Sequence, residues 1–125
     1  MDDDVEYDDD PWRVYLREVQ RVPPLGRVEE VDCIEHVRAG GPMAESARTR
    51  LVEANLHLVV SIAERYRNHH VHILDLIAKG NEGLMRAVRE VGDSGHDQFL
   101  AHMTTHIQSA IEEAIANPGS HLLPI

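Results

Sequence analysis

Histidines are the residues of this chain whose type and spacing could do chemistry. His69, His70 and His72 stand within four positions, and His102 and His106 are spaced i,i+4. Imidazoles at such spacings bind transition metals when further ligands complete the coordination. The first group has no cysteine or other paired ligand near it in the sequence, so we predict a polar turn there.

The pair His102 and His106 allows two interpretations. Imidazoles one helical turn apart could chelate a metal together with Glu113, one or two turns further along the same helix. Alternatively, the pair belongs to a polar, solvated helix surface. We adopt the second interpretation and predict no metal. Protonation of the two imidazoles would add positive charge to this helix.

Patterns that carry catalysis are absent from the sequence. It has no glycine-rich phosphate loop, no nucleophile with a plausible base and no Cys/His spacing typical of zinc sites. Gly80 and Gly83 fall inside a helical pattern, where close helix packing explains them better than a ligand. We therefore predict a protein that is not an enzyme and that uses no cofactor.

Composition indicates a single small, acidic domain of 125 residues. The formal net charge is -10, so phosphate backbones repel the chain unless a local basic patch outweighs the net field. The single cysteine, Cys33, cannot form an intrachain disulfide; we predict a small core residue in a reducing cytoplasm. No apolar run could span a bilayer and the N-terminus is acidic, so we expect a cytoplasmic protein without a membrane partner.

Prolines and glycines divide the sequence into about five amphipathic helices, which predicts an all-α helical bundle. The domain is expected to span residues 10–117, beginning with Asp10 as a helix cap and Pro11 in the first turn. Residues 1–9 are predicted to be an acidic disordered tail, either solvating or mimicking nucleic acid on a partner. Residues 118–125 are predicted to be a C-terminal coil.

The centre of the chain, from Arg50 to Val88, predicts a hairpin of two helices. Apolar residues follow the spacing of one helix face in both halves, and the short His-rich joint favours antiparallel packing around a shared core. Gly92 to Gly95 predicts a loop, and a last helix follows near Phe99 to Ala116. The buried stripe of that helix is predicted to be Phe99, Met103, Ile107, Ala110, Ile111 and Ala114.

The two halves of the hairpin also resemble a known family. They read L-V-E-A-N-L-H-L-V-V-S-I-A-E-R-Y-R-N and L-D-L-I-x-x-G-N-x-G-L-M-R-A-V. These phrases resemble the second conserved region of the sigma-70 family, the initiation subunits of bacterial RNA polymerase. Asp10 to Leu25, D-P-W-R-V-Y-L-R-E-V-Q-R-V-P-P-L, resembles the family's preceding region. The resemblance implies the helical fold of sigma factor domain 2 and a role in transcription initiation with core RNA polymerase.

The resemblance implies a docking surface for the coiled coil of the polymerase clamp on the second helix of the hairpin. Its positions are Asp75, Ala78, Lys79, Asn81 and Met85. Asp75, Asn81 and Met85 keep the family's residue types, whereas Ala78-Lys79 replaces a Gln-Glu pair. Lys79 reverses a charge that meets arginines, and like charges across an interface can cost several kcal/mol. We therefore expect clamp binding that is weakened or redirected to an altered partner.

The same helix face also has a simpler interpretation, in which it is only solvated. Asp75 and Lys79, and Glu82 and Arg86, form two acid-to-base pairs spaced i,i+4. Each pair would stabilise the helix by about 0.2–0.5 kcal/mol.

The last helix corresponds in the family to the helix that melts promoter DNA. That work uses aromatic rings for flipped bases and cations for phosphates. The matching positions here are occupied by His102, Thr105, His106, Ser109, Glu112 and Glu113. No Lys or Arg occurs from Glu90 to Ile125, although five acidic residues do. Arg13 and Arg17, on the first helix, are the other positions that the resemblance places near DNA.

Two functions follow from these departures. The first is a sigma-type initiation factor that binds core polymerase while promoter -10 recognition is weakened or lost. The alternative is a regulatory decoy or protein-interaction module that uses the sigma scaffold without binding DNA.

Overall fold

The computed structural model describes residues 10–67, 70–94 and 96–117, and every regular element in those ranges is a helix. The predicted all-α fold is therefore confirmed. The predicted tail at 1–9, part of the His-rich joint, and the predicted coil at 118–125 lie outside the described residues. The helices are α1 (Pro11–Gln20), α2 (Arg27–Ala39), α3 (Ala44–Ala54), α4 (Leu56–Glu64), α5 (Ile73–Ser94), a 3-10 turn (His96–Gln98) and α6 (Phe99–Ala116).

Local capping explains where several helices begin and end. Asp10 caps α1 as predicted, because its Oδ1 accepts a hydrogen bond of 3.0 Å from the Trp12 N–H, next to Pro11 in the first turn. The N–H of Leu74 donates to Nδ1 of His72 at 3.0 Å, where α5 begins. Helix α2 ends at Ala39 and is capped by Gly40, whose φ of 69° is left-handed and therefore favours glycine.

The first half of the predicted hairpin is not one helix. It breaks at Asn55, between α3 and α4, and the side-chain amide of Asn55 donates to the Leu51 carbonyl at 2.8 Å. Asparagine competes with the helix for backbone hydrogen bonds in this way, which the apolar periodicity alone does not reveal. The predicted loop from Gly92 was also wrong, because α5 continues to Ser94.

Helix α5 lies at the centre of the bundle and packs against α2, α3, α4 and most extensively α6. The predicted stripe of α6 is confirmed, since all six of its apolar residues are buried. Gly80 and Gly83 lie where α5 meets its neighbours most closely. A Cβ atom at Gly80 would approach Val59 Cγ1 to 2.7 Å, and one at Gly83 would overlap the backbone carbonyl of His106. Close helix packing, as predicted, explains both glycines.

Cys33 behaves as the predicted packing residue. Its side chain is half-buried and contacts the core cluster. Burial raises the pKa of its thiol, although the nearby Arg50 acts in the opposite direction. Because the thiolate is the reactive form, a raised pKa makes this cysteine a poor nucleophile at neutral pH.

None of the helices in the described ranges combines the length and apolar character that a membrane span requires.

Candidate functional site

The outer face of α5 carries four of the five residues proposed to contact polymerase. Asp75, Ala78 and Met85 are exposed, and Lys79 is half-buried. Lys79 Nζ lies 3.7 Å from Glu82 Oε1, an ion pair spaced i,i+3. Because the opposite face of α5 is anchored in the core, these side chains are presented from a fixed backbone.

Asn81, the fifth of these residues, lies at the edge of that face and is half-buried. Its Nδ2 donates to the Tyr15 hydroxyl at 3.5 Å, which links α5 to α1. Its Oδ1 is buried and accepts no hydrogen bond from the residues that the structure describes. Asn81 therefore helps to position α1, a role that the sequence did not suggest.

Met85 also lines a groove between α3 and α5. The walls of this groove include Arg48 and Val52 from α3 and Val88 and Arg89 from α5. The Met85 side chain is 41% exposed and is one of five large apolar side chains exposed among the described residues. Single exposed apolar side chains are common on protein surfaces, so Met85 is a candidate contact because of its place in the predicted docking face rather than because of its exposure.

The polar face of α6 holds the residues that the sequence resemblance predicted to occupy DNA-contact positions. Thr105, Ser109, Glu112 and Glu113 are exposed, whereas His102 and His106 are half-buried. Glu112 Oε2 accepts a hydrogen bond of 2.8 Å from the Tyr66 hydroxyl, in the turn after α4. Sequence reasoning missed this bond because its partners are 46 residues apart.

Replacing Tyr66 by Phe is expected to reduce the loss of stability at alkaline pH. The hydrogen bond to Glu112, followed by burial, raises the pKa of the Tyr66 phenol. A raised pKa in the folded state gives stabilisation that is complete below the unfolded pKa of about 10 and is lost as the pH rises through the folded value. Urea unfolding should show that the free energy of unfolding decreases less between about pH 8 and about pH 11 for Tyr66→Phe than for the native chain.

Glu112→Gln is the companion variant for this prediction. The Gln side chain keeps an oxygen acceptor but removes the charge, so the decrease in unfolding free energy should again be smaller than in the native chain. An equal decrease in all three proteins would show that this hydrogen bond does not govern the alkaline transition.

The arginines proposed to approach DNA lie on α1 rather than on α6. Arg13 is exposed and Arg17 is half-buried, one turn further along the helix. The guanidinium carbon of Arg67 lies 5.2 Å from the centre of the Trp12 ring, a cation–π contact between α1 and the turn after α4. The arginines predicted to approach DNA and the polar residues predicted to contact bases thus lie on two different helices, α1 and α6.

Glu90 of α5 meets His102 and His106 of α6. His106 Nε2 lies 3.2 Å, and His102 Nε2 lies 3.6 Å, from Glu90 Oε1. The two imidazole rings stand edge to face, with centres 4.6 Å apart. Glu113, which the sequence suggested as the third member of such a group, does not take part in it.

Comparison with known proteins identifies the family. Residues 51–117 match the family described as Sigma-70 region 2. The RNA polymerase sigma factor SigA of Lactococcus lactis subsp. cremoris is 46% identical over 109 residues, covering 87% of this chain and 30% of that protein. The protein of the same name from Clostridium acetobutylicum is 44% identical, covering 87% of this chain and 28% of its own length.

A SigA from a Bacillus species is 40% identical over 126 residues, covering 92% of this chain and 33% of that protein. The chain therefore spans about a third of the length of these relatives, and its match to the family model extends over more than half of its own length. The helical fold, the central helix with its outer face and these comparisons agree, and the chain belongs to the sigma-70 region 2 family.

Proposed function

We propose that this chain is a sigma-type transcription initiation module that binds core RNA polymerase and recognises the promoter -10 element weakly or not at all. The observation that carries the proposal is the outer face of α5, which the family match includes and the fold leaves accessible. Such a module acts in the cytoplasm, where the polymerase works. Sigma factors are transcription factors rather than enzymes, in agreement with the prediction from the sequence.

The proposed partner of α5 is the coiled coil of the polymerase clamp. Asp75, Ala78 and Met85 offer an accessible surface that combines a charge, a small residue and a large apolar side chain. Ala78 supplies no hydrogen bond at its position, and Lys79 places a cation where a carboxylate would meet arginines. Both features support an interaction that is weaker than that of an ordinary sigma factor.

Weak promoter recognition is supported by the charge of α6. Its exposed face carries Glu112 and Glu113, and the sequence from Glu90 onward contains no Lys or Arg. Without cations, phosphate binding releases no counterions from DNA at this helix. The positions proposed for base capture hold imidazole, hydroxyl and carboxylate groups, which provide less stacking surface than Tyr and Trp rings.

A second candidate, a decoy that occupies polymerase without serving a promoter, is favoured by the same exposed carboxylates. Negative groups on the DNA-facing helix resemble phosphates to a basic partner surface. The decoy and the initiation module share the α5 contact and differ in binding DNA. A labelled promoter fragment or single strand, offered at low salt with and without core polymerase, tests the difference: a shift excludes the decoy, and its absence excludes a module that still binds the promoter.

Met85→Glu tests the polymerase contact. A carboxylate at this exposed apolar position of the α5 face should weaken capture of core RNA polymerase by about tenfold, because an apolar contact is replaced by a group that must be desolvated. Val28→Glu is the matched control, since Val28 is an apolar residue of α2 that is 83% exposed. Pull-down titration with the native chain and both variants measures the difference.

The proposal fails if the native chain does not bind core polymerase at concentrations where an ordinary sigma factor does. If Met85→Glu and Val28→Glu bind as the native chain does, the contact lies on a surface other than α5.

A further inference from the structure

We propose that Glu90, His102 and His106 form a zinc site that ties α5 to α6. One ligand atom from each residue lies within 4.8 Å of the others. Two imidazoles and one carboxylate are a ligand set that Zn²⁺ accepts, with a water in the fourth position. This inference departs from the expectation of no metal, and it does not depend on the binding of polymerase.

Two of the three distances within the cluster are close to those around a tetrahedral ion. Ligand atoms at zinc bond lengths of about 2.0–2.1 Å are separated by about 3.3 Å in a tetrahedron. The Nε2 atoms of His106 and His102 lie 3.2 Å and 3.6 Å from the same Glu90 oxygen. The ligand atoms of the two histidines lie within 4.8 Å of each other, so rotation of the imidazoles must close the remaining gap.

The state of one ring nitrogen in the cluster supports a bound ion. His102 Nε2 is inaccessible to solvent and has no hydrogen-bond partner among the described residues. A buried nitrogen in this state loses its hydration without compensation, which is unfavourable. A Zn²⁺ ion between His102 Nε2 and Glu90 Oε1, which are 3.6 Å apart, would give this nitrogen a partner.

The backbone holds the three ligands in place before any ion binds. His102 and His106 lie one turn apart on α6, so the helix fixes their separation. Glu90 follows Gly83 by about two turns on α5, and the absence of a Cβ at Gly83 lets α5 approach the His106 carbonyl. A site on two rigid, packed helices loses little conformational entropy when it binds a metal.

The cluster opens to solvent on the side of Glu90. The Glu90 side chain is 49% exposed, and the His102 and His106 side chains are 24% and 22% exposed. An ion can therefore enter from the surface while two of its ligands stay largely shielded. A partly shielded site binds an ion more tightly than a fully hydrated surface does, because fewer waters compete for the ligands.

The test is titration of the full chain, freed of metal by a chelator, with ZnCl₂ in a calorimeter. We expect a single zinc ion per chain. At about 100 times its dissociation constant, zinc should raise Tm by about 10 °C. MgCl₂ should produce neither effect, because Mg²⁺ prefers octahedral oxygen ligands. Glu90→Gln and His106→Gln should each weaken zinc binding at least tenfold, with helicity measured by circular dichroism as a check on folding.

The histidines of the joint provide the control. A variant with His69→Asn, His70→Asn and His72→Asn removes the three imidazoles of the other histidine-rich segment. It should bind zinc as the native chain does. Asn also suits the positive φ of 67° at His70 and can accept the hydrogen bond that His72 receives from Leu74. The proposal is overturned if the native chain does not bind zinc, if Glu90→Gln and His106→Gln bind it unchanged, or if the joint variant loses it.

Discussion

Replacing Gly83 by Ala should lower the free energy of unfolding by about 3 kcal/mol, at the upper end of the usual cost of overpacking. An added Cβ would overlap the carbonyl oxygen of His106 and lie 3.1 Å from the Ala110 Cβ. The oxygen belongs to a helix backbone and cannot rotate away as a side chain could. The two helices must therefore separate along the largest helix contact of the domain.

Helix propensity predicts the opposite sign for the same substitution. Ala is favoured over Gly inside a helix by about 1 kcal/mol. If α5 and α6 were not in close contact at Gly83, the variant would be more stable than the native chain. Urea unfolding followed by circular dichroism thus decides between packing and propensity by the sign of the change.

Two other glycines serve as controls for this prediction. Gly41→Ala should change the unfolding free energy by less than about 0.5 kcal/mol, because no heavy atom lies within 4 Å of the added Cβ. Gly80→Ala should have an effect between the two, since the nearest atom, at 2.7 Å, is a side-chain methyl of Val59 that can move. An unchanged or increased stability of Gly83→Ala would contradict the close approach of α5 and α6.

Apolar periodicity predicted the parts of the fold that depend on one helix face at a time. The stripe of α6 from Phe99 to Ala114 was predicted residue by residue, because the spacing of apolar positions determines which face is buried. The end of α5 was not predicted, because Gly-Asp-Ser-Gly is typical of loops. Local propensity is a weak predictor where tertiary packing favours a helix. Val91, fully buried, anchors the last turns of α5 in the core.

Contacts between helices were the part of the site that the sequence could not provide. The i,i+4 spacing of His102 and His106 was visible, but Glu113 was chosen as their companion because it lies on the same helix. Glu90 comes from α5, and its place beside the two histidines depends on how α5 and α6 are registered. The hydrogen bond between Asn81 and Tyr15 depends in the same way on packing between distant segments, because the two residues are 66 positions apart.

Replacing Lys79 by Glu should strengthen binding to the isolated clamp coiled coil by about 30-fold, equivalent to about 2 kcal/mol. In the proposed contact, the reversal would exchange repulsion of the clamp arginines for attraction, at a half-buried position where screening is incomplete. The gain should shrink as salt is raised, because the interaction is electrostatic. Calorimetric titration at low and high salt measures both effects.

The cost of Lys79→Glu within the domain is small by comparison. It removes the ion pair of Lys79 with Glu82 and places two carboxylates three residues apart, which destabilises the helix by a few tenths of a kcal/mol. Lys79→Gln, which removes the charge without reversing it, should give an intermediate affinity. Arg38→Glu makes the same change of net charge at an exposed position of α2 and should leave clamp binding unchanged.

The native chain and the Lys79→Glu variant together locate the partner. Binding by both places the chain at the polymerase, as a factor or as a competitor, and the DNA assay then separates the two. Binding by the variant alone means that this one charge removed an otherwise intact docking face. If neither binds, the chain keeps the sigma fold without the clamp contact, and its partner must be sought without assuming polymerase.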